Sequence, residues 1–269
     1  MLERIQKYRR DLHQIPELEL ELPKTQRYLQ EALRDLPCTL SSPIPSSVVA
    51  FFDAGKKESI AFRSDMDALP VTEATGRAFA SRHTGCMHAC GHDGHMAMLL
   101  EFAHQLSAYY KELPHNVVLI FQPGEETPGG AEPMCKSGIF EQYHIKRIFG
   151  FHVWPMLGKG VIATRRNEFM ARSSEVNIDI TGKSAHAAKY QEGIDAMEIA
   201  ARYLLDVYTM EQEELSAETY RLLRFGLLKS GTVRNVVSNA ARMEGTLRAF
   251  QDENLSVYEK AYAGAGEAV

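Results

Sequence analysis

The stretch Val117–Ala131, VVLIFQPGEETPGGA, decides the fold. Val117 to Phe121 are apolar without a break, and Gln122, Pro123 and Gly124 then lead into Glu125 and Glu126. A short continuous apolar run bounded by turn residues is expected of a strand covered on both faces, as in a parallel sheet. Two further runs have the same form: Ile60 to Phe62 leading into Asp65, and Ile148 to Phe151 leading into His152. Between the first two runs, about 94–110, Met96, Leu99, Leu100 and Leu106 recur at helical spacing and could cover a sheet face. Residues 2–14 and 23–35 also show helical spacing, with Pro23 suited to a first turn and Pro37 lying past the second helix. Strands alternating with helices imply an α/β layer architecture.

The texture changes downstream. Glu175 to Thr181 alternates polar residues with Val176, Ile178 and Ile180, which suits a sheet with one wet face. A helix is expected along Ile194, Met197, Ala201, Leu204 and Tyr208, followed by strands near 222–228 and 241–250. The expected division is therefore an α/β domain over 1–171 and a smaller α+β domain over 172–269, meeting near Thr164 to Ala171.

Composition narrows the function. The 269 residues are 45% hydrophobic and 24% charged, close to soluble globular averages, which argues against disorder or a coiled coil. A net charge of -5 without a basic stripe argues against nucleic-acid binding. No run approaches the roughly 18 apolar residues of a membrane span, and the first residues, MLERIQKYRR, lack the apolar core of a secretory signal. A cytoplasmic location is expected. The four cysteines do not make a disulfide scaffold, yet Cys86 and Cys90 share a short stretch with His83, His88, His92 and His95.

In open parallel sheets, ligands bind beyond the carboxyl ends of the strands. Asp65 and Asp67, Glu125 and Glu126, and His152 each follow a buried run, and Cys90 and His92 lie between a strand and a helix. This carboxylate, imidazole and thiolate set suits zinc, manganese, cobalt or nickel better than calcium or magnesium. A closed structural zinc knot built on Cys86 and Cys90 is the weaker reading, because it leaves the strand-end carboxylates unexplained. The adjacent glutamates suit a division of labour, in which one carboxylate binds metal and the other, left free, moves a proton.

RRDLHQIPEL, RSDMDALP, MHACGHDGHMAML, FQPGEETPGGA and FGFHVWP, in this order, resemble the binuclear metal amidohydrolases of aminoacylase and carboxypeptidase type. The branch with hippurate hydrolase, auxin-conjugate hydrolases and N-acetyldiaminopimelate deacetylase is the nearest in pattern. The resemblance implies Cys90, His92, Glu126 and His152 as metal ligands, Glu125 as general base, and Asp67 as the aspartate that orients the site. Two divalent transition metals (Zn, Mn, Co or Ni) are the implied cofactors. The second domain resembles the family's ferredoxin-like lid and dimerisation domain. There TGKSAHAA implies that His186 reaches a partner subunit's site, and GTVRN and GTLRAF imply that Asn235 and Arg248 bind the substrate carboxylate.

The implied reaction is hydrolysis of the amide bond of an N-acyl, most simply N-acetyl, amino acid by a homodimer. A dipeptidase or carboxypeptidase of the same family is the runner-up. PGEE stands where the family more often has PAEE, and HAAKY lacks the proline that commonly follows the lid histidine. The family pattern continues past Val269 with a further histidine ligand. The resemblance therefore implies a catalytic domain that is incomplete in this chain, which would then be poorly active or a non-catalytic homologue.

Overall fold

A computed structural model describes residues 1–216 and 220–250. The chain divides into two compact units, Met1–Lys159 and a second that begins at Gly160. The stretch 160–171 holds no helix or strand. Sequence periodicity reports where elements begin rather than where a linker does, so the change of texture shows only later.

The first unit runs α1 (Leu2–His13), α2 (Pro23–Leu33), β1 (Thr39–Ser41), β2 (Val48–Phe52), β3 (Ser59–Asp65), α3 (His92–Leu106), β4 (Asn116–Gln122), α4 (Ala131–Lys136), α5 (Ile139–Gln142) and β5 (Ile145–Gly150). Its sheet has the order β1-β2-β4-β3-β5. The strands β4, β3 and β5 run parallel, whereas β1 and β2 are added antiparallel. Every residue of β4 is buried, as its unbroken apolar run requires. One sheet face packs Phe52, Leu119 and Phe121 against Leu12, Leu29, Met96 and Leu100 of the first three helices. The other packs Val49, Ala61, Val118 and Ile120 against Met134 and Ile139 of α4 and α5.

The expected cover on both faces is met in full only by β4, since Ile60 and Phe62 of β3 are partly exposed. The third apolar run, in β5, is not covered on both faces: Ile148 and Phe149 are each 47% exposed and Phe151 is 62% exposed. The strand lies at the edge of the sheet, with β3 on one side and no described strand on the other.

Two contacts outside the core fix the helices. Pro23 opens α2, and the Glu17 carboxylate accepts from the backbone N–H groups of Lys24 (3.0 Å) and Thr25 (2.9 Å), pairing donors that a helix start leaves free. Between α1 and α3, Arg4 donates twice to the buried Glu101, at 2.6 and 2.8 Å, and Gln105 adds a third bond. The Arg4 hydrogen bond outweighs burial, which acts the other way, and holds the Glu101 carboxyl at about 2. A depressed carboxyl stabilises the fold above its unfolded value, near about 4.3, and that stability is lost as pH falls toward about 2. Denaturant unfolding is thus expected to show wild type more stable than Glu101→Gln near neutrality. The gap should narrow in acid, and a gap constant with pH would contradict this account.

The second unit runs β6 (Arg172–Thr181), α6 (Ala196–Glu214), β7 (Arg221–Ser230) and β8 (Ala240–Ala249). Its sheet has the order β6-β8-β7, all antiparallel, which is a split β-α-β arrangement with α6 connecting the outer strands. The buried stripe of α6 is only partly the one expected: Leu204 and Tyr208 pack against the core. Ala196, Ala200, Val207 and Glu211 are buried, whereas Ile194 and Met197 are exposed. Ala196 and Ala200 sit against Ala241 and Met243, where only small side chains let the helix approach the sheet. Among the described residues, no helix is long and apolar enough to cross a membrane.

A candidate metal centre at the sheet edge

Strand register brings the candidate residues together. Asp65 at the end of β3 is level with Gln122 at the end of β4, and Arg63 is level with Gly150 at the end of β5. The chain segments bearing Asp67, Glu125 with Glu126, and His152 therefore leave the sheet at one edge. The N-terminus of α3 adds Cys90 and His92. Gly91 between them has φ +93°, and a Cβ there would meet the Val153 side chain at 2.6 Å, so both backbone shape and space call for glycine.

Asp67 organises the centre. It is 1% exposed, and its two carboxylate oxygens accept from the backbone N–H groups of Glu125 and Glu126, each at 2.9 Å. Its own carbonyl oxygen lies 2.8 Å from His92 Nδ1. A carbonyl only accepts, so Nδ1 carries the proton and Nε2 is left with its lone pair. That Nε2 is buried and has no hydrogen-bond partner. It lies 3.6 Å from Asp65, 3.8 Å from Glu126 and 3.9 Å from Glu125, too far for hydrogen bonds. A second grouping joins Cys90, His92 and His152, with Cys90 Sγ 3.4 Å from His152 Nε2.

The electrostatics call for a cation. Burial, then the hydrogen bond and charge of Glu126, followed by Glu125 and Asp65, push the Cys90 thiol up to about 12. Burial and the charge of Glu126 likewise raise Glu125, with His92 and Arg63 opposing. A dication among these groups would offset the crowding of negative charge and favour the thiolate. The lone buried Nε2, the thiol and the carboxylates fit a transition-metal site.

Of the residues expected from sequence, Asp65, Asp67, Cys90, His92, Glu125, Glu126 and His152 lie together. The zinc knot on Cys86 and Cys90 does not form: among the described residues, Cys86 joins no metal-competent group and is a buried free thiol. His95 is the residue the sequence reading passed over. It follows His92 by three positions, so both lie on one face of α3.

In the second unit, His186 begins a short turn and its Nδ1 accepts from Ala188 N–H at 3.1 Å. The neighbouring Ala187 N–H donates to the Asn235 carbonyl at 3.0 Å, and His186 bridges to Val236, so the His186 and Asn235 loops are joined. Arg248 is not part of that group. It is exposed near the far end of β8, roughly 25 Å along the strand from its start at about 3.3 Å per residue.

Comparison with known proteins fixes the lineage. Residues 61–257 match the model of peptidase family M20/M25/M40. The chain belongs to this family. A Staphylococcus epidermidis relative named an uncharacterized hydrolase is 38% identical, the alignment covering 95% of this chain and 67% of the relative. An N-acetyldiaminopimelate deacetylase of Lacticaseibacillus casei is 35% identical, covering 97% of this chain and 70% of that one. A Bacillus subtilis crystal structure, described as a dinuclear metal binding peptidase of the M20 family, superposes with a TM-score of 0.79 at 31% identity, covering 98% of this chain and 71% of that one. The M20 chain is thus a hydrolase by family, with an α/β fold and mainly parallel central strands, and its kin include a protein described as a dinuclear metal binding peptidase.

Proposed function

We propose that the full-length enzyme to which this M20 chain corresponds hydrolyses the amide bond of N-acyl amino acids, most simply N-acetyl ones, releasing a carboxylate and a free amino acid. The observation that carries the reading is the buried, unpartnered His92 Nε2 beside a pair of glutamates. The deacetylase relative supports the substrate class. Cys90, His92, Glu126 and His152 would hold two divalent ions of Zn, Mn, Co or Ni type. When bound, the ions supply Lewis-acid polarisation of the scissile carbonyl and a lowered pKa for the attacking water.

The remaining work falls to side chains. Glu125 takes a proton from the water and delivers it to the leaving nitrogen, for which a carboxylate raised by burial and by Glu126 is suited. Asp67 holds the backbone of both glutamates and sets the His92 tautomer. His186 supports the oxyanion from the partner subunit, and Asn235, on the loop joined to that of His186, takes the substrate carboxylate.

The direct experiment is a panel of N-acetyl amino acids and dipeptides, each assayed with Mn, Co, Ni or Zn. Turnover confined to dipeptides would overturn the deacylase reading. Cys90→Ala is expected to lose bound metal by elemental analysis, since the thiolate supplies both a ligand and compensating charge; full occupancy would contradict its role. Dimerisation through the second unit is expected because, among the described residues, β6 and β7 lie at the sheet's edges with no further strand beside them, and such edges favour pairing. Sedimentation showing only monomer at micromolar concentration would count against it.

A further inference from the structure

We infer that His95 is a positioning residue that aims His152 at the metal centre, an inference resting on the proposed ligand role of His152. His95 is 3% exposed and its ring centroid lies 4.6 Å from that of His152. With Asp65 and His92 it forms a grouping that could itself hold a metal ion. Its hydrogen bonds point to another task. The Val153 backbone N–H donates to His95 Nε2 at 2.9 Å, so that nitrogen is the acceptor and Nδ1 carries the proton. Nδ1 then donates to Asp65 Oδ1 at 2.7 Å. Both ring nitrogens are used, whereas the Nε2 of His92, one turn earlier on α3, has no partner.

The consequence for His152 runs through one residue, Val153. Val153 gives its N–H to His95, and its carbonyl accepts from His152 Nδ1 at 2.7 Å. His95 thus fixes the residue that fixes the His152 ring, leaving His152 Nε2 directed toward Cys90. The other end of the strut is equally held, because Arg63 donates to Asp65 Oδ2 at 2.9 Å and to Gln122 Oε1 at 3.0 Å. The line Arg63, Asp65, His95, Val153, His152 therefore ties β3, β4 and α3 to the segment after β5. His152 itself is exposed and follows an edge strand, so packing alone does little to hold it. A ligand in such a place needs an outer hydrogen-bonded partner to be oriented.

The test compares His95→Gln with His95→Asn in the 269-residue chain. A glutamine amide spaces its nitrogen and oxygen like the two ring nitrogens and can bridge Asp65 and Val153. The shorter asparagine keeps the bond to Asp65 and releases Val153, so the buried carboxylate stays paired and the fold survives. Co2+ titration, followed by the visible absorption of the bound ion, reads the site without turnover. His95→Asn is expected to weaken one Co2+ site by about 10–100-fold and to change its spectrum, while His95→Gln stays within a few-fold of wild type. His152→Ala should show the same loss, and the His95→Asn, His152→Ala double variant should show no more than His152→Ala alone. Wild-type Co2+ binding by His95→Asn, equal losses in Asn and Gln, or additive losses in the double variant would each overturn the positioning role. Unchanged Co2+ binding by His152→Ala would instead overturn the ligand assignment, and the inference with it.

Discussion

In the complete enzyme, Glu125→Gln is expected to cut turnover of N-acetyl amino acids by about two to four decades while leaving metal content nearly unchanged. The substitution is close to isosteric and keeps the backbone N–H that Glu125 gives to Asp67 at 2.9 Å, so the turn carrying Glu126 stays in place. What it removes is a proton acceptor. Glu125 Oε2 lies 3.9 Å from His92 Nε2, inside the group of side chains that can hold metal. Burial and the neighbouring charge of Glu126 raise its carboxyl from the ordinary value, bringing it closer to the pH at which a base must both accept and release a proton. The measurements are kcat by steady-state kinetics and metal by elemental analysis on the same preparation. Turnover near wild type would remove Glu125 from the reaction, and a large loss of metal would make it a ligand rather than a base.

The sheet edge was legible because two independent signals coincided there. Val117 to Phe121 and Ile60 to Phe62 are unbroken apolar runs that signal strands, and each is followed by carboxylates that no buried core would tolerate unpaired. The antiparallel addition of β1 and β2 was not legible, since a run such as Val48 to Phe52 signals burial and carries no direction. The exposure of β5 was hidden for a related reason: an apolar run does not say whether it has a neighbour on each side. In α6 the sequence reading followed the bulky residues, whereas close approach to β8 buries Ala196 and Ala200. His95 escaped because its value lies in what its two nitrogens touch, Asp65 and the Val153 backbone, and spacing on a helix shows only that it shares a face with His92.

Asp67 carries the second large effect, because three bonds to the centre converge on one buried residue. Its carboxylate pairs the consecutive N–H groups of Glu125 and Glu126, and its carbonyl sets the proton on His92 Nδ1. In Asp67→Asn one oxygen becomes an NH2 group that faces a backbone N–H, so a donor meets a donor and one N–H loses its acceptor. Leaving such a group unpaired costs about 1–3 kcal/mol, and the glutamate turn relaxes to recover a partner. Metal affinity should therefore fall by about 10–100-fold, the range typical when a residue that orients ligands is changed. The backbone carbonyl survives, so His92 keeps its tautomer and some metal is retained, which separates this variant from Cys90→Ala. Metal titration together with denaturant unfolding measures both losses. Wild-type affinity and stability in Asp67→Asn would show that the turn holds the two glutamates without its carboxylate.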